Sequence, residues 1–184
     1  MSLRPPALKT ARLLLRDARL SDAEAIFEEY AGDPAVTRFL LWRPQPSPDG
    51  VRDFLHGAIE RMAAGRELHW VITRAGEDRP IGAIGCTIED FRAELGYVLG
   101  RAHWRQGIMS EALRAVVEWV LALEPIHRVW AVCDVDNVGS AGVLEKAGLV
   151  REGMLRRWSL HPNVSDVPRD CYVYSAIRHA SARC

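Results

Sequence analysis

The sequence predicts a mixed α/β fold, a twisted mixed β-sheet with helices on both faces. Three observations predict it. Strand-like and helical patterns alternate in the order strand, two helices, three strands, helix, strand, helix, two strands. Two β-rich runs, 69–74 and 80–88, are separated by the Gly76-Glu-Asp turn and read as a hairpin. A strand–helix–strand unit in the middle needs a right-handed crossover, which makes its two strands parallel. Hairpins plus one parallel pair give a mixed sheet.

The elements follow in order. Residues 11–17 read as a first strand. Ser21-Asp-Ala-Glu24 has capping-box spacing and opens a helix to about residue 31. Trp42-Arg-Pro-Gln-Pro-Ser-Pro48 is a proline-rich loop, and Ser47-Pro48, an N-cap followed by an N1 proline, starts a second helix to about residue 64. After the hairpin, 93–99 is a further strand. From Ser110, the apolar residues Leu113, Val116, Val117, Val120 and Leu121 follow the spacing of a core-facing helix, which Pro125 ends. Residues 128–134 form a buried strand. A short helix over 137–147 is closed by Gly148, suited to the left-handed position after a helix. Residues 149–160 and 170–177 supply the last two strands.

A chain of 184 residues suits one domain, taken as 1–184, and 48% apolar content supports folding. Lys+Arg and Asp+Glu both number 24, so no net field marks nucleic acid or an anionic membrane as a partner. The four cysteines, Cys86, Cys133, Cys171 and Cys184, show neither zinc-ligand nor redox spacing and are expected to be free thiols. The Leu13-Leu14-Leu15 run is too short for a signal-peptide core and no stretch is long enough for a membrane span, which points to a cytoplasmic protein. Six histidines lack partner spacing and are read as structural.

Chemistry concentrates in three places. The Arg105-Gln106-Gly107-Ile108-Met109-Ser110 turn feeds a helix start, where unpaired N–H groups and the helix dipole favour an anion. It is neither a P-loop, lacking Gly-Lys-Ser/Thr, nor a Rossmann turn, lacking the further glycines. As an ordinary helix start it would place Ser110 near the N-cap. Asn137 and Ser140 share one face of the short helix, where Asn137 also suits an N-cap. Glu94 shares a strand face with Gly96 and Val98, and a strand glycine often marks close ligand approach.

The ordered set resembles the GNAT superfamily of N-acetyltransferases, within it the branch of ribosomal-protein N-terminal acetyltransferases (RimJ/RimL-like). The cues are Thr10-Ala-Arg-Leu-Leu-Leu-Arg16, Pro80-Ile-Gly82, Ala93-Glu-Leu-Gly-Tyr97, Trp104-x-x-Gly107-x-Met109-x-Glu111-Ala112, Asn137-x-x-Ser140, Glu145-Lys-Ala-Gly-Leu149, and Arg169-Asp170 before Tyr174-Ser175. The resemblance implies two parallel central strands splayed around acetyl-CoA, with no metal. It implies that the pantetheine arm pairs with the strand at Tyr97, Val98 and Leu99. It further implies that Arg105 and the amides of Gln106, Gly107, Ile108, Met109 and Ser110 surround the pyrophosphate, and that Asn137 contacts the cofactor arm. Ser140 falls where a proton donor to the leaving thiolate is expected, and Glu94 where many relatives carry a general base. Glu89 and Asp90 are alternatives for the base. Met109 departs from the small residue usual in the superfamily, and its side chain is expected to line the phosphate loop.

The chemistry narrows the acceptor. A lysine ε-amine is neutral about one part in a thousand near pH 7.4, and an α-amine roughly a quarter. One strand carboxylate therefore suits a peptide N-terminus or a less basic small amine. The reading is direct acetyl transfer from acetyl-CoA to a primary amine. The acceptor is a peptide N-terminal α-amine, or alternatively an antibiotic, polyamine or amino acid; a third possibility is a non-catalytic acyl-CoA sensor. Acceptor choice is assigned to the loops at 39–47 and 160–169, with Trp42, Trp158 and Tyr172 as candidate walls. The chain is expected to act as a monomer or homodimer.

Overall fold

The computed structural model describes residues 5–65 and 67–178. Eight strands form one sheet: β1 (Leu8–Lys9), β2 (Leu13–Arg16), β3 (Glu67–Arg74), β4 (Gly82–Glu89), β5 (Arg92–Leu99), β6 (Arg128–Asp134), β7 (Val150–Ser159) and β8 (Arg169–Ile177). Their order is β1-β2-β3-β4-β5-β6-β8-β7. Every pairing is antiparallel except β5 with β6, the parallel pair that the crossover rule requires. The five α-helical segments are α1 (Ala23–Ile26), α2 (Pro34–Thr37), α3 (Pro48–Ala63), α4 (Ile108–Ala122) and α5 (Val138–Lys146).

Strand alternation divides the core in two. Leu68, Trp70 and Ile72 of β3 pack with Leu113, Val116 and Val120 of α4 and Leu144 of α5 on one face. Val71 of β3 and Ala83 of β4 pack with Ile26 and Leu55, of α1 and α3, on the other. Trp70 is fully buried, meets Trp119 edge-on at 5.7 Å and donates its indole N–H to the Pro6 carbonyl at 2.9 Å. The buried face of α4 has the apolar spacing expected from Leu113 onward.

Four local expectations are corrected. The first helical segment is not capped at Ser21. It starts as a 3-10 turn at Leu20–Asp22, where the Asp22 carboxylate accepts the Arg19 N–H at 2.8 Å, and ends as a π turn at Phe27–Ala31. Asp22 is drawn there by a buried bidentate pair with Arg16 at 2.9 Å on both arms. Helix α4 starts two residues earlier than Ser110, with Gly107 as its N-cap. Met109 does not line the phosphate loop: it is only 3% exposed and packs in the core. The sheet also gains the two-residue strand β1, too short for a periodicity signal. Among the described residues, no helix is long and apolar enough to cross a membrane. Cys86, Cys133 and Cys171 are free and buried, while Cys184 and His179 lie outside the described residues.

Candidate active site

The parallel pair is short, and that shapes the site. β5 pairs with β6 only from Arg92↔Arg128 to Glu94↔Trp130, whereas β4 stays paired with β5 as far as Leu99. From Leu95 onward the edge of β5 facing β6 has no strand partner. A slot therefore opens beside Tyr97, Val98 and Leu99, although the Leu99 carbonyl already accepts the Trp104 indole N–H at 2.8 Å.

The chain then turns into α4. Gly107 has φ +72° and Arg105 φ +60°, two left-handed residues bracketing Gln106. The next amides, of Ile108, Met109 and Ser110, belong to the first turn, where no intrahelical acceptor exists. All three side chains are buried, so the turn presents main chain rather than side chains. This is the local geometry of an anion cradle.

Residues far away in sequence hold that turn. Arg12 donates to the Gln106 carbonyl at 3.0 Å and to Glu111 at 2.6 Å. Glu111 also accepts from the Thr10 hydroxyl at 2.6 Å and the Arg12 N–H at 3.0 Å. Partial burial pushes the Glu111 carboxyl up, but the bonds from Thr10 and Arg12 outweigh it and hold the group below its ordinary range. Arg74 donates to the Gln106 side-chain oxygen at 3.1 Å, while Gln106 donates to the Ala102 carbonyl at 2.9 Å. Arg12, offset by Glu111, and Arg74 thus bring guanidinium groups to the turn of a chain with no net charge.

Across the slot, Asn137 is the N-cap of α5, its side-chain oxygen accepting the Ser140 N–H at 3.1 Å. Ser140 Oγ lies 2.7 Å from the Tyr97 hydroxyl, which also donates to the Ser140 carbonyl at 3.2 Å. Burial pushes the Tyr97 phenol above its ordinary range, so it stays protonated. Cys133 lies beside this pair, and burial raises its thiol to about 11. A thiol held that high is a poor nucleophile at neutral pH.

Glu94 occupies the opposite face of β5 from Tyr97, as strand alternation requires. It lines a small hollow with Thr87, Glu89, Arg92 and Trp130. Partial desolvation, then the negative charge of Glu89, raises its carboxyl above the ordinary value. Glu89 pairs with Arg92 at 3.2 Å, and Asp90 lies in the turn between β4 and β5, on the far side of Glu94 from the slot. Of the three carboxylates, Glu94 stands nearest the slot.

The two loops assigned to the acceptor meet. Asn163 donates to both the Thr37 and Trp42 carbonyls at 2.8 Å. Behind it, buried His161 touches Asp134 and Cys171 through the same nitrogen, each at 3.7 Å. One nitrogen facing both partners makes no relay, which would need the two ring nitrogens. Sequence reasoning missed Arg12, Arg74, Tyr97 as a side-chain participant, and Asn163. Their partners are remote in the chain, so spacing carried no signal.

Comparison with known proteins decides the family. The model of the acetyltransferase (GNAT) domain matches residues 12–150. The chain belongs to the GNAT acetyltransferase family. Its GNAT domain makes it an N-acetyltransferase. It is 32% identical over 176 residues to the uncharacterized N-acetyltransferase YoaA of Bacillus subtilis, covering 94% of this chain and 97% of that one. It is 34% identical over 104 residues to the ribosomal-protein-serine acetyltransferase of Escherichia coli, covering 55% of this chain and 56% of that one. Among solved structures it superposes on RimL, a ribosomal L7/L12 α-N-protein acetyltransferase in complex with coenzyme A, with a TM-score of 0.82. That match has 24% identity and covers 94% of this chain and 98% of the other. The GNAT fold expected from the sequence is the fold observed, splayed parallel pair included.

Proposed function

We propose that the chain transfers the acetyl group of acetyl-CoA to a primary amine, the α-amine of a peptide or protein N-terminus. The observation that carries this reading is the slot beyond Glu94↔Trp130, which leads to the amides at the head of α4. Unpartnered strand edge and helix amides fit a pantetheine arm and a pyrophosphate, respectively. The names of the Escherichia coli relative and of RimL, the latter bound to coenzyme A, support the acceptor and the donor.

Bound there, acetyl-CoA supplies an acyl carbon activated as a thioester. Main chain at Tyr97, Val98 and Leu99 aligns the arm, and Asn137, whose oxygen is taken by its cap, reaches it through the side-chain NH2. The amides of Gln106, Gly107, Ile108, Met109 and Ser110, with Arg105, Arg12 and Arg74, neutralise the phosphates. Glu94 takes the proton of the attacking amine, directly or through one water, on one face of the sheet. Ser140, its hydroxyl oriented by the bond to Tyr97, gives a proton to the departing sulfur on the other face and regains one from solvent after the products leave. The two proton transfers are thus kept apart by the sheet itself. Placement of the two substrates contributes most of the acceleration, and the carboxylate roughly 10²–10⁴-fold.

The test is thiol release from acetyl-CoA against peptides with free N-termini, the same peptides capped, and small amines. Release with free peptides, abolished by capping, supports the reading. Release with small amines alone would move the acceptor to a metabolite or drug, and binding of acetyl-CoA without release would make the chain a sensor.

A further inference from the structure

β3, β4 and β5 place His69, Gly85 and Gly96 in one row across the sheet, through the pairs His69↔Gly85 and Gly85↔Gly96. The row lies on the face that carries Glu94, two residues along β5 from Gly96. A glycine inside a strand weakens it, so two facing glycines ask for a reason. The backbone offers none: neither glycine has a left-handed φ. A methyl at Gly96 would meet nothing within 4 Å, and one at Gly85 would touch only His69 Cδ2 at 3.8 Å. The bare strip is open space that the fold itself does not use.

Its inner end is polar. His69 is 8% exposed, and its Nδ1 is buried with no hydrogen-bond partner among the described residues. Leaving such a group unpaired is destabilising. A half-turn about Cβ–Cγ exchanges Nδ1 with Cδ2, the ring atom nearest Gly85, and so aims the orphan nitrogen into the strip. Phe54 of α3 stands edge-on to the ring at 6.0 Å and is 53% exposed, forming a wall above it. Nearby charge is already used: Glu67 is paired with Arg61 at 2.8 Å.

We propose that the strip from Glu94 to His69 seats the first residues of an acceptor peptide, with His69 hydrogen-bonding a polar group of that peptide and so setting specificity. The proposal rests on the acetyl-transfer reading above and adds the path of the acceptor. Two strand spacings of ~4.8 Å and two residues along a strand separate Glu94 from His69 by about 12 Å. At ~3.3 Å per residue, an extended peptide covers that distance in three to four residues. An amino acid is too short for it. A polyamine would find no second free carboxylate along the row.

Two variants and two readouts test this. Gly96→Val fills the strip with a residue that favours strands, and His69→Phe keeps the ring against Phe54 while removing its nitrogens. With Gly96→Val, the KM for a free tetrapeptide should rise tenfold or more, while the KM values for acetyl-CoA and for an amino-acid amide stay within twofold. With His69→Phe, the tetrapeptide KM should rise while that for the amide does not. Independently of turnover, the tetrapeptide added to coenzyme A-loaded protein should shift the His69 imidazole resonances, and the amide should not. Unchanged tetrapeptide KM in Gly96→Val, a silent His69, or an amide used as well as the tetrapeptide would each overturn the peptide seat. Shifted His69 resonances without any acetyl transfer would keep the seat and count against the transfer reading instead. His69 shifts from spermidine rather than from the peptide would overturn the peptide as occupant.

Discussion

The Tyr97 hydroxyl lies 2.7 Å from Ser140 Oγ and ties β5 to α5 across the slot where β5 and β6 have parted. The bond spans 43 residues of sequence and joins the two walls of the proposed cofactor site. A phenol kept protonated by burial braces the serine and orients its hydroxyl. Tyr97→Phe should lower kcat by about tenfold, and Ser140→Ala by about 10²-fold. The double variant should be no worse than Ser140→Ala, because the two groups act in series. Steady-state kinetics on the four proteins reads this directly, and simple additivity would mean that Tyr97 does not act through Ser140.

As the proposed base, Glu94 should set the acid side of the pH profile. Its carboxyl is raised by desolvation and by Glu89, and a base works only when deprotonated. With the ionisation of the acceptor amine divided out, the logarithm of kcat/KM should therefore climb with pH through a carboxylate value above the ordinary one before it levels. Glu94→Gln should cut kcat by about 10²-fold, flatten that limb and leave acetyl-CoA affinity unchanged. A retained limb would hand the role to another group.

Arg12 holds the turn before α4 from outside the helix. Arg12→Met removes the bonds to Gln106 and Glu111 and one positive charge. The KM for acetyl-CoA should rise about five- to tenfold, with acceptor KM little changed, and the deficit should shrink in high salt. Gly107→Val acts on the same turn through φ +72°, where a β-branched residue is strained. It should weaken acetyl-CoA binding, measured by calorimetry.

Asn163 clasps two loops by its bonds to the Thr37 and Trp42 carbonyls. Asn163→Ala leaves both without that donor and should cost about 1–2 kcal/mol in urea unfolding. If the loops frame the acceptor, acceptor KM should rise while that for acetyl-CoA holds. A change in both would place the clasp nearer the cofactor.

Burial also makes His69 a marker of acid stability. Desolvation lowers its imidazole from 6.5 to about 4. Below 6.5 the unfolded chain takes up a proton that the folded chain refuses, so this contribution is intact above 6.5 and is lost as pH falls toward 4. The full loss amounts to about 3 kcal/mol. His69→Phe should show a shallower fall of Tm over that window, and an identical fall would exclude His69 as its source.

What could be read from the residues alone was local. The proline after Ser47, the apolar spacing along 113–121 and the glycine after residue 147 announced helices because capping and periodicity act within a few residues. The parallel pair followed from crossover handedness, and the helix start beside Gly107 from its glycine. Ser21 misled because the buried Arg16–Asp22 pair, a tertiary demand, moved the cap to Arg19. Met109 misled because helix phase, set by packing of α4, turned its side chain into the core.

The sequence by itself determined the family and the order of its elements, and it placed a glycine turn at the head of α4. Only the tertiary structure decided which distant side chains meet: Arg12 with Glu111 across 99 residues, Tyr97 with Ser140, and Asn163 with Trp42. It also decided the row of His69, Gly85 and Gly96, because strand register is a property of pairing and a slip of one residue would send each side chain to the other face.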